Sequence, residues 1–533
     1  MRSALRVVLL VILLAVPLAL SSRRPTVAAP PSPSSTAASP ATADDAPTAL
    51  LVQLAPAAAH RLAAAMTVQA VGGVVEAREQ SIGVVRYRFA DPASAAAALD
   101  LLRQDPGVAS VSPLYVAHAL TVPPPAVLFW QPYESLYMDA IHLRDAWAQG
   151  TGSPSVVVAV VDTGVNYRLP SVAQHDYKNY VELAGALGND NDGSGCAYDV
   201  DGCNFVHPST ATGVGVGCPV QDSYFGRVDP YASTPNNDVF DDDYRSPNHG
   251  TAMASVVAAG PQDWHQGDPS FVGVAWRTSV LAVKVLDCHA EGNVDDIAAG
   301  VQYAMDRGSR VINLSLGFCP PAGYDATADP LRAAVERALA RGIVVVASAG
   351  QYTTGLPDGA SNCPTTMLPA AYPGVVSVGA ARVMEDGSIV RGDWTRLQPD
   401  GRSVEWKSPA AGHIDIAAPG VGVLGQWMQY DPATGKPVLC ALVGPCPTPF
   451  PGLYFGTSPA AAVVSGVVAL MLARNPTLRP ADVVRILRQT AQSYVAGDAP
   501  GWAGAGVIDA AAAVVAVPPA AGFGQAGGVA HQP

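Results

Sequence analysis

Basic residues are scarce. The 533-residue chain carries 31 Lys and Arg against 44 Asp and Glu, a net charge of -13. A nucleic-acid binder needs clustered cations to displace counterions from phosphate, so no nucleic-acid partner is expected. Long apolar runs are absent beyond the N-terminus, so no later segment reads as a bilayer span of about 20 residues. Cysteine is missing from residues 1–195 and 447–533, and all eight cysteines fall between Cys196 and Cys446. None forms a C-x-x-C pair and no histidines cluster beside them, which argues against zinc. In an exported chain such cysteines imply disulfides, whose connectivity sequence does not give. Cys196 with Cys203, and Cys440 with Cys446, are near enough to close local loops.

What is present starts with "MRSALRVVLLVILLAVPLALSSRR". A basic start, a short apolar run and small residues near Ala19–Ser22 make residues 1–22 an export signal. An uncleaved membrane anchor is the alternative, kept open by Arg23 and Arg24. Residues 23–47 are Pro, Ala, Ser and Thr with almost nothing to bury, and are expected to be a disordered linker. From Thr48 the pattern changes. "ALLVQLA" reads as a strand, "AAAHRLAAAM" as a helix and "GVVRYRFA" as a strand. "ASAAAALDLLRQDPGVASVSPLYV" then reads as a helix followed by a strand, giving a small α+β module over 48–120. The proline stretch "LTVPPPAVLF" marks its boundary.

From Val156 onward, apolar runs alternate with helical periods. "VVVAVV" (156–161), "VLAVKVL" (280–286), "VINLSL" (311–316), "IVVVASA" (343–349) and "VVSVGA" (375–380) read as strands buried on both faces. Ile297, Val301, Ala304 and Met305 mark one helix face, ended by Gly308. Leu331, Ala334, Val335, Ala338 and Leu339 mark another, ended by Gly342. The expected fold is α/β, a doubly wound parallel sheet over 130–517 with an insertion at about 180–245. The Pro, Gly and Ala of 518–533 read as an unstructured tail. Sites in such sheets form at the carboxyl ends of strands.

Three segments put reactive groups there. "VVVAVVDTGVN" ends a strand on Asp162, "NHGTAMAS" opens a small-residue helix on His249, and "GTSPAAAVVSGVVALML" opens another on Ser458. A serine hydroxyl is a poor nucleophile until an imidazole takes its proton, and the imidazole needs a carboxylate to fix its tautomer. Each motif alone reads as a turn former, a structural histidine or a helix cap. All three together, in the order Asp, His, Ser, resemble the subtilisin-like serine peptidases. "NLSLG" (313–317), "LPAAYPGVVSVGA" (368–380), "IDIAAPG" (414–420) and "GAGVIDAAAA" (504–513) extend the resemblance to about 130–515.

The resemblance implies a secreted serine endopeptidase made as a self-processing zymogen, acting on protein or peptide substrates. It implies Asp162, His249 and Ser458 as the triad. The module at 48–120 would be a propeptide that assists folding and inhibits in the cleft, with self-cleavage near 117–122. Substrate would lie as a strand beside Ser315, Leu316 and Gly317, with an apolar or broad preference before the cleaved bond. No cofactor is required, no stable membrane span is expected in the mature protein, and a monomer is expected.

Two departures stand out. The family's oxyanion donor is an Asn after Ala-Gly, and "VVVASAGQYTTG" has Gln351 there. Gln351 with the Ser458 N–H is the expected pair of donors; the alternative leaves Gln351 a loop residue with Asn362 or another group donating. The long interval between Asp162 and His249 carries Asp190, Asp192, Asp199 and Asp201, which could ligate a structural calcium or be solvated loop acids. A scaffold that kept the fold without activity is the rival reading, and Gln351 is its only support. An esterase is a third, opposed by the chain order and by Ala460 where an elbow motif has glycine.

Overall fold

A computed structural model of the chain describes residues 48–55, 68–120, 131–167, 169–186, 188–218, 221–223, 226–228, 234–243, 248–260, 272–321, 323–354, 363, 365–397, 403–409, 412–427, 450–495, 497 and 501–520. Residues 1–22, expected as an export signal, 23–47, expected as a linker, the helix expected over 57–66, Asn362, Cys440, Cys446 and all but the first three tail residues lie outside them.

Residues 48–120 form a four-stranded antiparallel sheet, in the order Val74–Glu79, Val84–Arg88, Ala49–Leu54, Val108–Pro113. Both faces of its third strand are buried, because side chains alternate across a strand. Leu50 and Val52 pack with Ala95, Ala98 and Leu102 of the module's own helix, Pro92–Leu102. Asp91 caps that helix by accepting from the Ser94 N–H at 2.8 Å, and proline at its first turn has no N–H to lose. Ala49 and Leu51 point the other way, into a core shared with Leu281, Ile297 and Val301. Strand Val74–Glu79 is not visible in the sequence pattern. Its first residues are exposed valines and its buried positions include Glu79, the reverse of amphipathic patterning.

The large sheet runs, in order, Ile389–Arg391, Val376–Val383, Val344–Ser348, Val311–Leu314, Val157–Asp162, Ser279–Lys284, Gly202–Asn204, with Ile416–Pro419 also paired to Val376–Val383. All of its pairings are parallel except that of Ile389–Arg391. Alternation again divides the side chains. Val158, Val160, Val344 and Val346 face helices His249–Ala258 and Thr457–Arg474, whereas Ala159, Val161, Val345 and Ala347 face helices Val294–Asp306 and Pro330–Ala340. Helices therefore cover both faces, as the continuous apolar strands require. The latter two helices stop at Gly308 and Gly342, whose φ of 74° and 80° are left-handed values that glycine adopts without strain.

Among the described residues, helix Thr457–Arg474 is the one long and apolar enough to cross a bilayer, and 89% of it is buried inside the protein. It is the central core helix. Among the described residues three disulfides form: Cys196–Cys203 closes the expected local loop, Cys218–Cys288 ties the insertion to the loop after strand Ser279–Lys284, and Cys319–Cys363 links two loops.

Candidate active site

Asp162 ends its strand fully buried, and its Oδ1 lies 2.6 Å from His249 Nδ1. The Thr163 N–H donates to the same oxygen at 2.8 Å. His249 opens its helix behind Asn248, whose φ of 54° is left-handed. Gly250 follows because nothing larger fits: a Cβ there would sit 2.1 Å from the Gly164 carbonyl oxygen. The close approach of loop and helix is what brings imidazole to carboxylate.

Asp241 holds that junction together, a role the sequence did not reveal. Its carboxylate accepts from Thr163 Oγ1 at 2.9 Å, from the Thr251 N–H at 2.9 Å and from Thr251 Oγ1 at 2.6 Å. Thr163 Oγ1 in turn accepts from the Gly250 N–H at 2.8 Å. Burial pushes the Asp241 carboxyl up to about 6, against the hydrogen bonds from Thr251 and the nearby Lys284 charge. Buried Lys284 ties the same loop from below, donating to the Thr163 carbonyl at 2.7 Å and to Asp242 Oδ1 at 2.6 Å. The run "DDD" at 241–243 was the available signal, but sequence could not say that it folds inward.

His249 is wholly buried, which penalises its charged form. The Asp162 carboxylate, helped by Asp243 and Asp241, outweighs that penalty and raises its pKa above the ordinary 6.5. Its Nε2 has no hydrogen-bond partner.

Ser458 lies in the first turn of helix Thr457–Arg474, where the N-terminal dipole favours negative charge. Its hydroxyl donates to the Ser315 carbonyl at 2.9 Å, and the Ser315 hydroxyl donates back to the Ser458 carbonyl at 2.9 Å. The structure thus pairs Asp162 with His249, and Ser458 with Ser315. Gln351 is buried, its Oε1 without a partner. A Cβ on Gly456 would lie 2.7 Å from that Oε1 and 2.5 Å from the Leu120 carbonyl oxygen, so Gln351, Leu120 and the turn into the serine helix crowd one spot.

Leu120 arrives there on strand Val116–Ala119. This strand is the middle one of three, antiparallel to Glu291–Asn293 on one side and to Leu316–Gly317 on the other. The Leu120 N–H reaches the Ser315 carbonyl at 3.4 Å. Leu120 itself is buried with Cys363 and Met367 in a small apolar cluster.

The four acids weighed for calcium do not make one oxygen shell. Asp201 pairs with Lys178, and Asp192 pairs with Arg307. Asp199 accepts from Tyr303 Oη at 2.6 Å and from Asn179 Nδ2 at 2.9 Å. Asp190 accepts from the N–H groups of Ser194 and Gly195, both at 2.9 Å. Asp190 and Asp192 instead gather with Glu182, their oxygens within 4.8 Å of one another, an acidic group that could hold a metal ion, whereas Asp199 and Asp201 turn to other partners.

The subtilase family model matches residues 153–521. Subtilisin E of Bacillus subtilis is 27% identical over 415 residues, covering 77% of this chain and 78% of that protein. An extracellular protease of Xanthomonas campestris pv. campestris is 28% identical over 444 residues, covering 80% of this chain and 63% of that protein. Among solved structures, fervidolysin from Fervidobacterium pennivorans, a keratinolytic enzyme related to subtilisin, superposes with a TM-score of 0.57 at 21% identity. That match covers 89% of this chain and 61% of fervidolysin. With the doubly wound sheet, the paired Asp162 and His249, and a family match over most of its length, the chain belongs to the subtilase family.

Proposed function

We propose that the chain is a secreted serine endopeptidase, synthesised as a precursor that cuts itself. The observation that carries this reading is the 2.6 Å contact of His249 Nδ1 with Asp162, which leaves Nε2 free to take a proton. Ser458 Oγ attacks the carbonyl carbon while its proton passes to His249 Nε2. The C–O bond forms, the carbonyl electrons move to oxygen, and Asp162 stabilises the imidazolium. On collapse the C–N bond breaks and His249 gives its proton to the departing amine. Water, activated by the same imidazole, then releases the acyl group from Ser458.

The oxyanion would meet the Ser458 N–H and the Gln351 side chain. Turning the Gln351 amide about its last bond exchanges Oε1 for Nε2, presenting a donor beside the Leu120 carbonyl. Losing such a donor costs about 10²- to 10³-fold in turnover, a range known from a subtilisin itself. Ser458 must also leave the Ser315 carbonyl for His249, a change of side-chain rotamer.

Residues 48–120 act as the inhibitory propeptide on this reading. Their last strand fills the cleft, and the bond following Leu120 is the one offered for cleavage. Leu120 in its apolar cluster supports a preference for a leucine-sized side chain before the cut bond. The disulfides and the N-terminal export pattern support secretion.

The test is labelling with a fluorophosphonate. The wild-type chain should be labelled once the propeptide is removed, and Ser458→Ala should not. Mass spectrometry should find a new terminus at Thr121 in the wild type alone. Absence of label on the processed wild type would favour a scaffold that has lost the chemistry.

A further inference from the structure

A second histidine sits in a second carboxylate cluster, away from the catalytic groups and between the N-terminal module and the large sheet. Arg86, on strand Val84–Arg88, is fully buried. Its guanidinium donates to both oxygens of Asp295, at 2.9 and 2.7 Å, to Asp296 Oδ1 at 2.9 Å, and to the His207 carbonyl at 3.3 Å. Asp295 and Asp296 are buried in the first turn of helix Val294–Asp306, where the helix dipole favours their charge.

His207 lies across the same joint. Its Nδ1 is 2.9 Å from Glu79 Oε1 on strand Val74–Glu79, 3.0 Å from Asp296 Oδ1 and 3.0 Å from the Phe205 carbonyl. Its Nε2 is 3.0 Å from the Thr234 carbonyl. Every group facing either ring nitrogen is an acceptor. Such surroundings satisfy only a ring with a proton on both nitrogens, the cationic imidazolium. Glu76, the remaining acid on that strand, accepts from Ser209 Oγ at 2.8 Å and lies 3.7 Å from Arg88 Nε.

We propose that this cluster is a charge-specific latch holding the N-terminal module on the catalytic domain, with Arg86 as its anchor and His207 making release pH dependent. The latch rests on reading residues 48–120 as the propeptide. Its sign follows from the ring. His207 is raised from 6.5 to about 11: burial works against its charge, but Asp296 and Glu79 outweigh it. On separation His207 keeps Asp296 and both carbonyls and loses Glu79, so the joint holds the ring proton more tightly than the separated catalytic domain does, and it weakens as the pH climbs. The module therefore loosens as the pH rises.

Hydrogen–deuterium exchange on the full Ser458→Ala chain tests this without needing any peptidase activity. Protection of residues 84–88 and 291–297 should be measured between pH 7 and 9.5 and corrected for the intrinsic exchange rate. The expected result is a corrected opening rate that rises by up to about tenfold per pH unit, and a flat profile in His207→Gln. Arg86→Met should open the joint at every pH while residues 311–314 stay protected. If Arg86→Met does not fold, the His207→Gln comparison decides alone. A flat profile with His207 present, or the same slope without it, overturns the latch. Failure of fluorophosphonate labelling would overturn the peptidase reading instead, so the two failures are distinct.

Discussion

His207, mostly buried, and His249, wholly buried, both lie among carboxylates, both carry a raised pKa, and they are built for opposite ends. His207 is surrounded on every side that can bond, with acceptors at both nitrogens. His249 meets its carboxylate on one nitrogen only and leaves the other bare. A ring engaged at both ends keeps its proton and serves as a fixed charge. A ring engaged at one end can pass a proton along. What separates the two is which atoms the second nitrogen faces, and the mere presence of nearby acids does not decide it.

The largest expected effect falls on the bare nitrogen's partner. Ser458→Ala should cut kcat by about 10⁶-fold, measured on a peptide substrate after the propeptide has been removed in trans, whereas His207→Gln should leave kcat of the processed enzyme unchanged. A comparable loss from both would erase the contrast. Asp162→Asn should follow, at about 10⁴-fold in kcat, by stabilising the wrong tautomer of His249. Gln351→Ala should lower kcat by about 10²- to 10³-fold with little change in KM. A change in KM alone would make Gln351 a substrate contact rather than an oxyanion donor.

The smallest effect is the sharpest on electrostatics. Because the His249 pKa is raised, the neutral base is lost as the pH falls through that higher value, and the acid limb of kcat/KM should lie above 6.5. Asp243→Asn removes one of the charges that hold it there, so the limb should shift downward by a few tenths of a pH unit. An upward shift, or none, would show that Asp243 does not act on the ring.

Much of this architecture was legible because local patterning and tertiary need agreed. Alternating apolar strands ended at Asp162, and Gly308 and Gly342 stood where their helices had to stop. The order Asp162, His249, Ser458 resembled a known family in segments that reinforced one another. What escaped notice depended on long-range burial. Arg86 sits in "VVRYRF" like a solvent-facing strand residue, and only the Asp295–Asp296 pair, 209 and 210 positions further on, explains its burial. Asp241 resembled one of many loop acids until two threonines from separate segments converged on it. Lys178 and Arg307, which pair with Asp201 and Asp192, come from elements the acidic spacing could not foretell. The Ser458–Ser315 exchange of hydrogen bonds had no sequence signal at all.

Strand Val116–Ala119 is bonded along both of its edges, to Glu291–Asn293 and to Leu316–Gly317. Any guest that replaces it has to slide into a slot and surrender both backbone edges at once. A segment already hydrogen-bonded inside another protein's sheet or helix has no such edges to give. On the proposed reading, well-folded proteins are therefore spared, and loops, frayed ends and unfolded chains become the prey.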